Sequence, residues 1–162
     1  MKKDDVDFIR MYMDYCEELE QYFAETEKMS VQDRRLTAEE YIHDRYSRII
    51  LARPDIGFLV VTRSGGDCHP MADYAISQLY VRPEYRRRGI AKDLVVNFVK
   101  SHGGTYVLDI LKGNGPAEAF WEKTTAENGW RDAFLPEIRP ESSRPDCVQH
   151  SFTASGKRAT DM

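Results

Sequence analysis

Three consecutive arginines followed by a glycine are the residues of this chain best suited to chemistry. Arg86, Arg87, Arg88 and Gly89 follow an apolar, strand-like run and precede an apolar, helix-like run at 90–99. The first amides of a helix have no partner within it, and together with the positive end of the helix dipole they bind anions. Gly89 lets the backbone approach an anion closely, and the arginines add positive charge. The segment therefore predicts a site for two linked phosphates.

The same arginines have a simpler interpretation, which is an exposed and solvated corner. Runs of charge are usually solvated. The strand before the arginines and the helix after them favour the anion site, because a helix that starts beside a strand end gathers free amides at one point.

Residues 79–91 resemble the signature of the GNAT family of acyl-CoA-dependent N-acetyltransferases. That signature is an apolar strand ending in valine, a proline turn, then Arg or Gln, two residues, Gly, one residue, and Gly or Ala. Here these positions are held by Val81, Pro83, Arg86, Gly89 and Ala91.

A second segment, residues 114–123, resembles the Asn-x-x-Ala-x-x-aromatic-aromatic helix of the same family, and Gly129-Trp130 resembles its closing Gly-aromatic pair. Two motifs in the correct order are more specific than one, and the resemblance covers about residues 57–130. A small bacterial subset of predicted acetyltransferases also carries Phe-Trp in the second motif.

The resemblance implies an α/β (mixed α+β) chain with the GNAT acyl-CoA N-acyltransferase fold, in which helices flank a central mixed sheet with splayed parallel strands. It implies an N-acetyltransferase that moves the acetyl group of acetyl-CoA, by direct attack, to a primary amine of a small molecule or a peptide. A non-catalytic acyl-CoA sensor or regulatory module is the alternative. The residues expected to bind acetyl-CoA belong to the two motifs and are Leu79, Tyr80, Val81, Arg86, Arg87, Arg88, Gly89, Ile90, Ala91, Asn114, Ala117, Phe120 and Trp121.

Two positions depart from the family pattern. A strand position that is often acidic in the family is Gln78, which cannot titrate, and a helix position that is often tyrosine is Trp121, whose indole N–H is not usefully acidic. Holding thioester and amine together supplies much of the rate, so activity does not require the usual acid–base pair.

Other side chains can carry protons near the same strands. Tyr80 at the strand end is our first candidate catalytic residue and Asp109 on the following strand is the second, with Asp73, Tyr74 and His69 as further candidates. The simpler interpretation of each is packing or an exposed strand edge.

The second motif leaves two roles open for its polar and aromatic residues. Asn114 lies between two glycines, where it fits equally well a contact to a cofactor amide and a helix cap. Phe120 and Trp121 fit a hydrophobic core or the wall of a cofactor site better than a chemical role.

The elements that position these residues follow from the spacing of apolar side chains. Spacings of three and four predict a helix over 6–23, and a capping box at 37–40 predicts a second helix that continues toward Pro54. The other predicted elements are strands at 57–63, 74–81 and 106–110, helices at 90–101 and 116–128, and weaker strands at 131–138 and 147–153.

Length and charge limit the class of protein. The 162 residues fit one domain over 1–154 followed by a polar tail at 155–162. The net charge of −4 and a pI near 5.6 argue against nucleic-acid binding, which favours a basic surface. The last strand leaves a homodimer open, since an exposed strand can pair with a second chain.

Cysteine and apolar content indicate the compartment. Cys16, Cys68 and Cys147 are odd in number and widely spaced, so neither a disulfide framework nor a metal site is expected. No apolar run approaches the roughly 18 residues that cross a bilayer. We therefore expect a cytoplasmic protein with no membrane association and no metal.

Overall fold

A computed structural model describes residues 2–23, 28–137 and 147–155 of the chain. Its helices are α1 (Lys3–Leu19), α2 (Val31–His43), α3 (Ile90–His102) and α4 (Gly115–Glu127). Its strands are β1 (Ser47–Ala52), β2 (Gly57–Arg63), β3 (Tyr74–Val81), β4 (Gly104–Leu111), β5 (Arg131–Asp132) and β6 (Cys147–Ala154). Short 3₁₀ turns follow α1 at Glu20–Tyr22 and β3 at Pro83–Tyr85.

The strands form one mixed sheet in the order β1-β2-β3-β4-β6-β5. The pair β3 and β4 is parallel, with α3 as the crossover between them, whereas the other neighbours are antiparallel. This confirms the expected mixed α+β fold with a parallel pair at its centre.

Helices cover both faces of the sheet, because strand side chains alternate between the two faces. The face under α1 and α2 buries Phe8, Ile9, Met11, Tyr12, Cys16, Ala38, Phe58, Val60 and Tyr80. The face under α3 and α4 buries Leu59, Val61, Ile76, Val95, Phe98, Val99, Tyr106, Leu108, Ile110, Trp121, Phe152 and Ala154. Each helix therefore has a fixed position relative to the central parallel pair.

The parallel strands β3 and β4 pair only at their first residues. Tyr74 is in register with Tyr106 and Ala75 with Val107, and no later pair joins the two strands in the described part of the chain. Soon afterwards β3 carries a bulge, since Val60 and Val61 of β2 face Gln78 and Ile76 and leave Ser77 unmatched. A bulge bends and twists its strand, so β3 turns away from β4 and the sheet opens.

A column of stacked aromatic rings holds the paired ends together. Trp130 stacks on Phe152 at 4.8 Å between ring centroids, Phe152 on Tyr106 at 5.1 Å, and Tyr106 on Tyr74 at 5.2 Å. The aromatic residue of the closing Gly-aromatic pair is thus a packing residue that joins the segment after α4 to the sheet.

The helices that border the opening begin and end as predicted. Gly89 precedes α3 in the left-handed conformation, and Gly103 caps its end. Asn114 caps α4, because its side-chain oxygen accepts a hydrogen bond from the Ala117 amide at 3.2 Å. Of the two roles left open for Asn114, the helix cap is therefore observed, with Pro116 in the first turn.

The prediction for the second helix was wrong at both ends. Helix α2 starts after Ser30, whose hydroxyl accepts from the Asp33 amide, so residues 37–40 lie inside the helix and do not cap it. The helix ends at His43 and is followed by Asp44, whose carboxylate accepts from the Tyr46 amide, and residues 47–52 form β1. Ile49 and its neighbours fit both periodicities, and pairing with β2 decides between them.

Two smaller differences concern the ends of other elements. The first helix starts at Lys3 and ends at Leu19, and the predicted strand at 131–138 is reduced to the two residues of β5. Residue 138 and residues 156–162 of the predicted tail lie outside the described residues. In the described parts of the chain, we find no helix with the length and apolar character that a membrane span requires.

The close approach of β2 to β3 gives a test of the sheet. A Cβ added at Gly57 would lie 2.4 Å from the backbone oxygen of Tyr80. We expect Gly57→Ala to lower the free energy of unfolding by about 1–3 kcal/mol, because backbone must move to relieve the overlap. Urea denaturation followed by circular dichroism measures this change.

Gly115→Ala is the matched control. A Cβ at Gly115 meets no described atom within 4 Å, and the residue is the first of α4. The free energy of unfolding should stay unchanged or rise by about 0.5 kcal/mol. Equal losses in the two variants would contradict the observed pairing of β2 with β3.

Candidate functional site

The separation of β3 from β4 opens a cleft of about 1350 Å³. Its walls come from both strands and from β6, from α1 and α2, from the first turn of α3, and from α4. The predicted acetyl-CoA-binding residues that line it are Leu79, Tyr80, Val81, Arg86, Arg87, Gly89, Ile90, Ala91, Asn114, Ala117, Phe120 and Trp121. Asp109 lines it as well, and Arg88 does not. The structure thus brings the two sequence motifs together around one cavity.

The start of α3 forms one end of the cleft. Within the described residues, the backbone amides of 87–92 have no hydrogen-bond acceptor. Arg87 and Gly89 both adopt the left-handed conformation, with φ of 64° and 78°. That conformation is rare for arginine, and successive amides held this way form an anion-binding concavity. The backbone conformation and the free amides of this segment favour an anion independently of the side chains.

The sequence predicts one role for the three arginines, but in the structure their surroundings differ. Arg86 donates from both terminal nitrogens to the Glu18 carboxylate at 2.6 Å, and its Nε donates to the Val81 oxygen at 2.8 Å. Arg88 lies over the Tyr85 ring at 5.5 Å. The charge of Arg86 is balanced by α1, whereas Arg87 and Arg88 have no carboxylate partner among the described residues and leave positive charge near the amides.

Tyr80 lies in the wall of the cleft at the end of β3. Its side chain is 6% exposed and packs against Tyr15 and Phe58, with the Arg86 guanidinium 5.7 Å from the ring centre. Burial raises the pKa of Tyr80, and the nearby Glu18 carboxylate adds to this. The phenol therefore stays neutral at physiological pH and carries a proton.

Asp109 lies across the cleft on β4. Leu108 and Ile110 point into the core under α3 and α4, so alternation places Asp109 on the opposite face, the one shared with α1 and α2. It is exposed and in register with Gln149 of β6. The two candidate catalytic residues thus border the same cavity from different strands.

The further candidate proton carriers have structural contacts. The His69 ring accepts from the Met71 amide and contacts the Pro136 oxygen at 2.8 Å, so both ring nitrogens are occupied. Asp73 accepts from the Thr105 amide and clamps the start of β3 to β4, and Tyr74 packs in the aromatic column. Of these, only His69 borders the cleft among the described residues.

Two aromatic side chains of α4 line the cleft. Trp121 is 6% exposed and belongs to the core, and Phe120 meets it edge to face with ring centres 5.1 Å apart. This agrees with the packing interpretation of both residues.

Several residues of the cleft carried no signal that sequence reasoning used. Tyr41 of α2 accepts a hydrogen bond from the Gln78 amide nitrogen at 3.0 Å, and Glu18 holds Arg86. Ser77 enters the wall through the bulge in β3. All of these contacts join segments far apart in sequence, so no local motif contains them.

A sheet split between two parallel strands, with free amides among the described residues at the start of the helix that joins them, defines the class of fold expected from the motifs. The model of the acetyltransferase (GNAT) family matches residues 10–125. This chain therefore belongs to the GNAT family of acetyltransferases. Among curated protein sequences, none matches it significantly.

Solved structures share the fold over almost the whole chain. An acetyltransferase from Thermus thermophilus has a TM-score of 0.62 at 15% identity and covers 92% of this chain and 90% of its own. The PaiA N-acetyltransferase from Thermoplasma acidophilum, in complex with coenzyme A, has a TM-score of 0.59 at 16% identity, with 93% of each chain covered. Diaminobutyrate acetyltransferase EctA from Paenibacillus lautus, in complex with L-2,4-diaminobutyric acid and coenzyme A, has a TM-score of 0.56 at 16% identity, covering 94% and 90%.

The buried tyrosines predict how stability changes at high pH. Burial raises the pKa of Tyr12, Tyr80 and Tyr106 above the usual value. Below about pH 10 the tyrosines are protonated in both states, and above it the unfolded chain loses protons first. The free energy of unfolding should therefore fall as the pH rises above about 10. Urea denaturation between about pH 8 and pH 11.5, with tyrosinate absorbance at each pH, measures this.

Tyr12→Phe should make that decline shallower, because one buried phenol no longer resists ionisation. An unfolding free energy that stays constant up to about pH 11 would contradict burial of these three hydroxyls.

Proposed function

We propose that this chain transfers the acetyl group of acetyl-CoA to a primary amine of a small molecule or a peptide, by direct attack of the amine on the thioester. The observation that carries the proposal is the set of unpartnered amides at 87–92, which open into the same cleft as the separated strands. Family membership supports acetyl transfer in general.

The residues present fit the two phosphates of the cofactor. The amides of 87–92, the positive end of α3 and the side chain of Arg87 would hold the pyrophosphate, and Arg88, which does not line the cleft, would add positive charge to the segment. No Cβ fills the space beside Gly89, where nothing described lies within 4 Å. These features together provide close backbone approach and positive charge at one point.

The separated strands fit the amide-bearing arm of the cofactor. Beyond Ala75, the edge of β3 that faces the cleft is not paired with β4. The backbone groups on this edge that precede Val81, whose oxygen accepts from Arg86, are therefore suited to an extended chain that carries amides. Phe120 and Trp121 would form the apolar wall beside the arm.

Acetyl-CoA supplies the activated acetyl group. In the reaction a C–N bond forms, the C–S bond breaks with its electron pair on sulfur, the nitrogen loses one proton and the sulfur gains one. Tyr80 remains a neutral phenol because of burial, so it is suited to donating a proton to the sulfur. Asp109, a carboxylate that lines the cleft on the opposite strand, is the candidate acceptor of the amine proton, and Gln78 has no titratable group.

Gly89→Asp tests the anion site. The substitution adds a negative charge beside the amides of α3, and we expect the affinity for acetyl-CoA to fall by roughly 100-fold. Isothermal titration calorimetry with acetyl-CoA and with CoA measures the change.

Gly129→Asp is the matched control. Gly129 also has a positive φ, of 67°, and open space around it, but it does not line the cleft. Its variant carries the same charge and backbone strain and should bind acetyl-CoA as the wild type does. Equal losses in the two variants would show that strain, and not the anion site, determines the affinity.

Tyr80→Phe tests the catalytic assignment. The variant keeps the ring in the aromatic wall and loses the proton, so kcat should fall on the order of 100-fold while acetyl-CoA affinity stays unchanged. Thiol release with a panel of primary amines measures kcat. An unchanged kcat in this variant would assign Tyr80 to packing alone. If the wild type binds acetyl-CoA but releases no thiol with any amine, the chain is better explained as a non-catalytic acyl-CoA sensor.

A further inference from the structure

A chain of hydrogen-bonded hydroxyl groups crosses the sheet from a surface carboxylate to the cleft. The Ser47 hydroxyl donates to the Asp44 carboxylate at 2.6 Å, Ser47 and Thr62 oxygens are 2.9 Å apart, and Thr62 and Ser77 oxygens are 2.7 Å apart. These four residues, which we call the hydroxyl chain, link the end of α2 with β1, β2 and β3. Ser77 is its last member and lines the cleft.

The carboxylate fixes the direction of every proton in the hydroxyl chain. Each hydroxyl has one proton to donate. The Ser47 proton is donated to Asp44, so the proton between Ser47 and Thr62 belongs to Thr62. The proton between Thr62 and Ser77 then belongs to Ser77. Ser77 has no further proton to donate, so its oxygen can only accept a hydrogen bond from the cleft.

The surroundings of the hydroxyl chain keep this direction stable. Hydrogen bonds from Ser47 and from the Tyr46 amide lower the pKa of Asp44, so the carboxylate is ionised and is an acceptor only. Thr62 is 1% exposed, so water does not compete for its hydroxyl. Both partners of Thr62 are side-chain oxygens of neighbouring strands.

The bulge in β3 directs Ser77 to the correct face of the sheet. Because Ser77 has no register partner on β2, strict alternation is broken, and both Ser77 and Gln78 bond toward the face covered by α1 and α2. Asp109 and Tyr80 belong to the same face. Ser77 is thus adjacent to Gln78, which occupies the strand position that is often acidic in the family and has no titratable group.

We infer that Ser77 is a catalytic residue that accepts a hydrogen bond from the attacking amine, with Thr62, Ser47 and Asp44 as positioning residues. This inference rests on the proposed acetyl transfer. As the nitrogen lone pair forms the C–N bond, the nitrogen becomes positively charged and its N–H becomes a stronger donor. An oxygen that can only accept stabilises that charge and directs the lone pair toward the thioester. The C–S bond breaks with its electron pair on sulfur, the nitrogen loses one proton, and the thiolate sulfur gains one to become the thiol.

The test compares four variants with the wild type. Ser77→Ala should lower kcat by about 10- to 100-fold, the value of one hydrogen bond to a charged group. Thr62→Val leaves Ser77 in place but frees its proton to turn into the cleft, and should lower kcat by about 3- to 10-fold. Thr62→Ser restores the hydroxyl and should recover kcat to within about twofold of the wild type. Ser101→Ala, an exposed serine of α3 outside the cleft, is the control for the serine substitution and should keep kcat.

Calorimetric affinity for acetyl-CoA and steady-state kcat and KM for the best amine of a panel are the measurements. In Ser77→Ala the acetyl-CoA affinity should match the wild type, so that the loss is in kcat. A fully active Ser77→Ala, or a Thr62→Ser as impaired as Thr62→Val, would overturn this inference while the wild type still transfers acetyl groups. A wild type that transfers to no amine would overturn the proposed function and this inference together, before any variant is compared.

Discussion

The structure depends on a parallel strand pair that is joined at one end and open at the other. Asp73 accepts from the Thr105 amide and fixes the start of β3 beside β4. The bulge at Ser77 then bends β3 away. Within the described residues, backbone groups along the diverging edges of β3 and β4 have no strand partner, and they would be costly if they were buried. They are tolerated because they face a cleft that water or an extended ligand can fill.

The two faces of the sheet contribute different kinds of groups to this opening. Helices α3 and α4 bring free amides and an aromatic wall, and their positions depend on the core that includes Phe98 and Trp121. Helices α1 and α2 bring Tyr41 to Gln78 and Glu18 to Arg86. The first face therefore contributes mostly backbone and apolar surface, and the second contributes the polar side chains.

Sequence reasoning succeeded where the information was local. The helix start at Gly89, the end at Gly103 and the helix after Asn114 each follow from residues within a few positions. It failed for β1, because Ile49 and Ile50 lie at spacings compatible with a helix and only pairing with β2 makes them a strand. An available signal was Asp44, whose type favours a turn that ends the helix.

The candidate site was likewise predictable from the sequence only where its features are local. The helix start at its proposed anion end was predicted because a glycine and the helix are adjacent in the chain, whereas the left-handed conformation of Arg87 had no sequence signature. The different roles of Arg86 and Arg88 depend on Glu18 and Tyr85, which no rule of spacing connects to them in advance. Ser77 was missed for a similar reason, since a one-residue bulge reverses the side on which a strand residue lies.

A recognition surface built from main-chain amides has a consequence for mutational tolerance. Every residue type except proline carries the same N–H, so most exchanges at residues 87–92 should preserve the donors if they preserve the torsion angles. The sensitive property at this end of the molecule is therefore the curvature of the peptide chain. Side-chain identity at this end matters chiefly through charge, at Arg87 and Gly89.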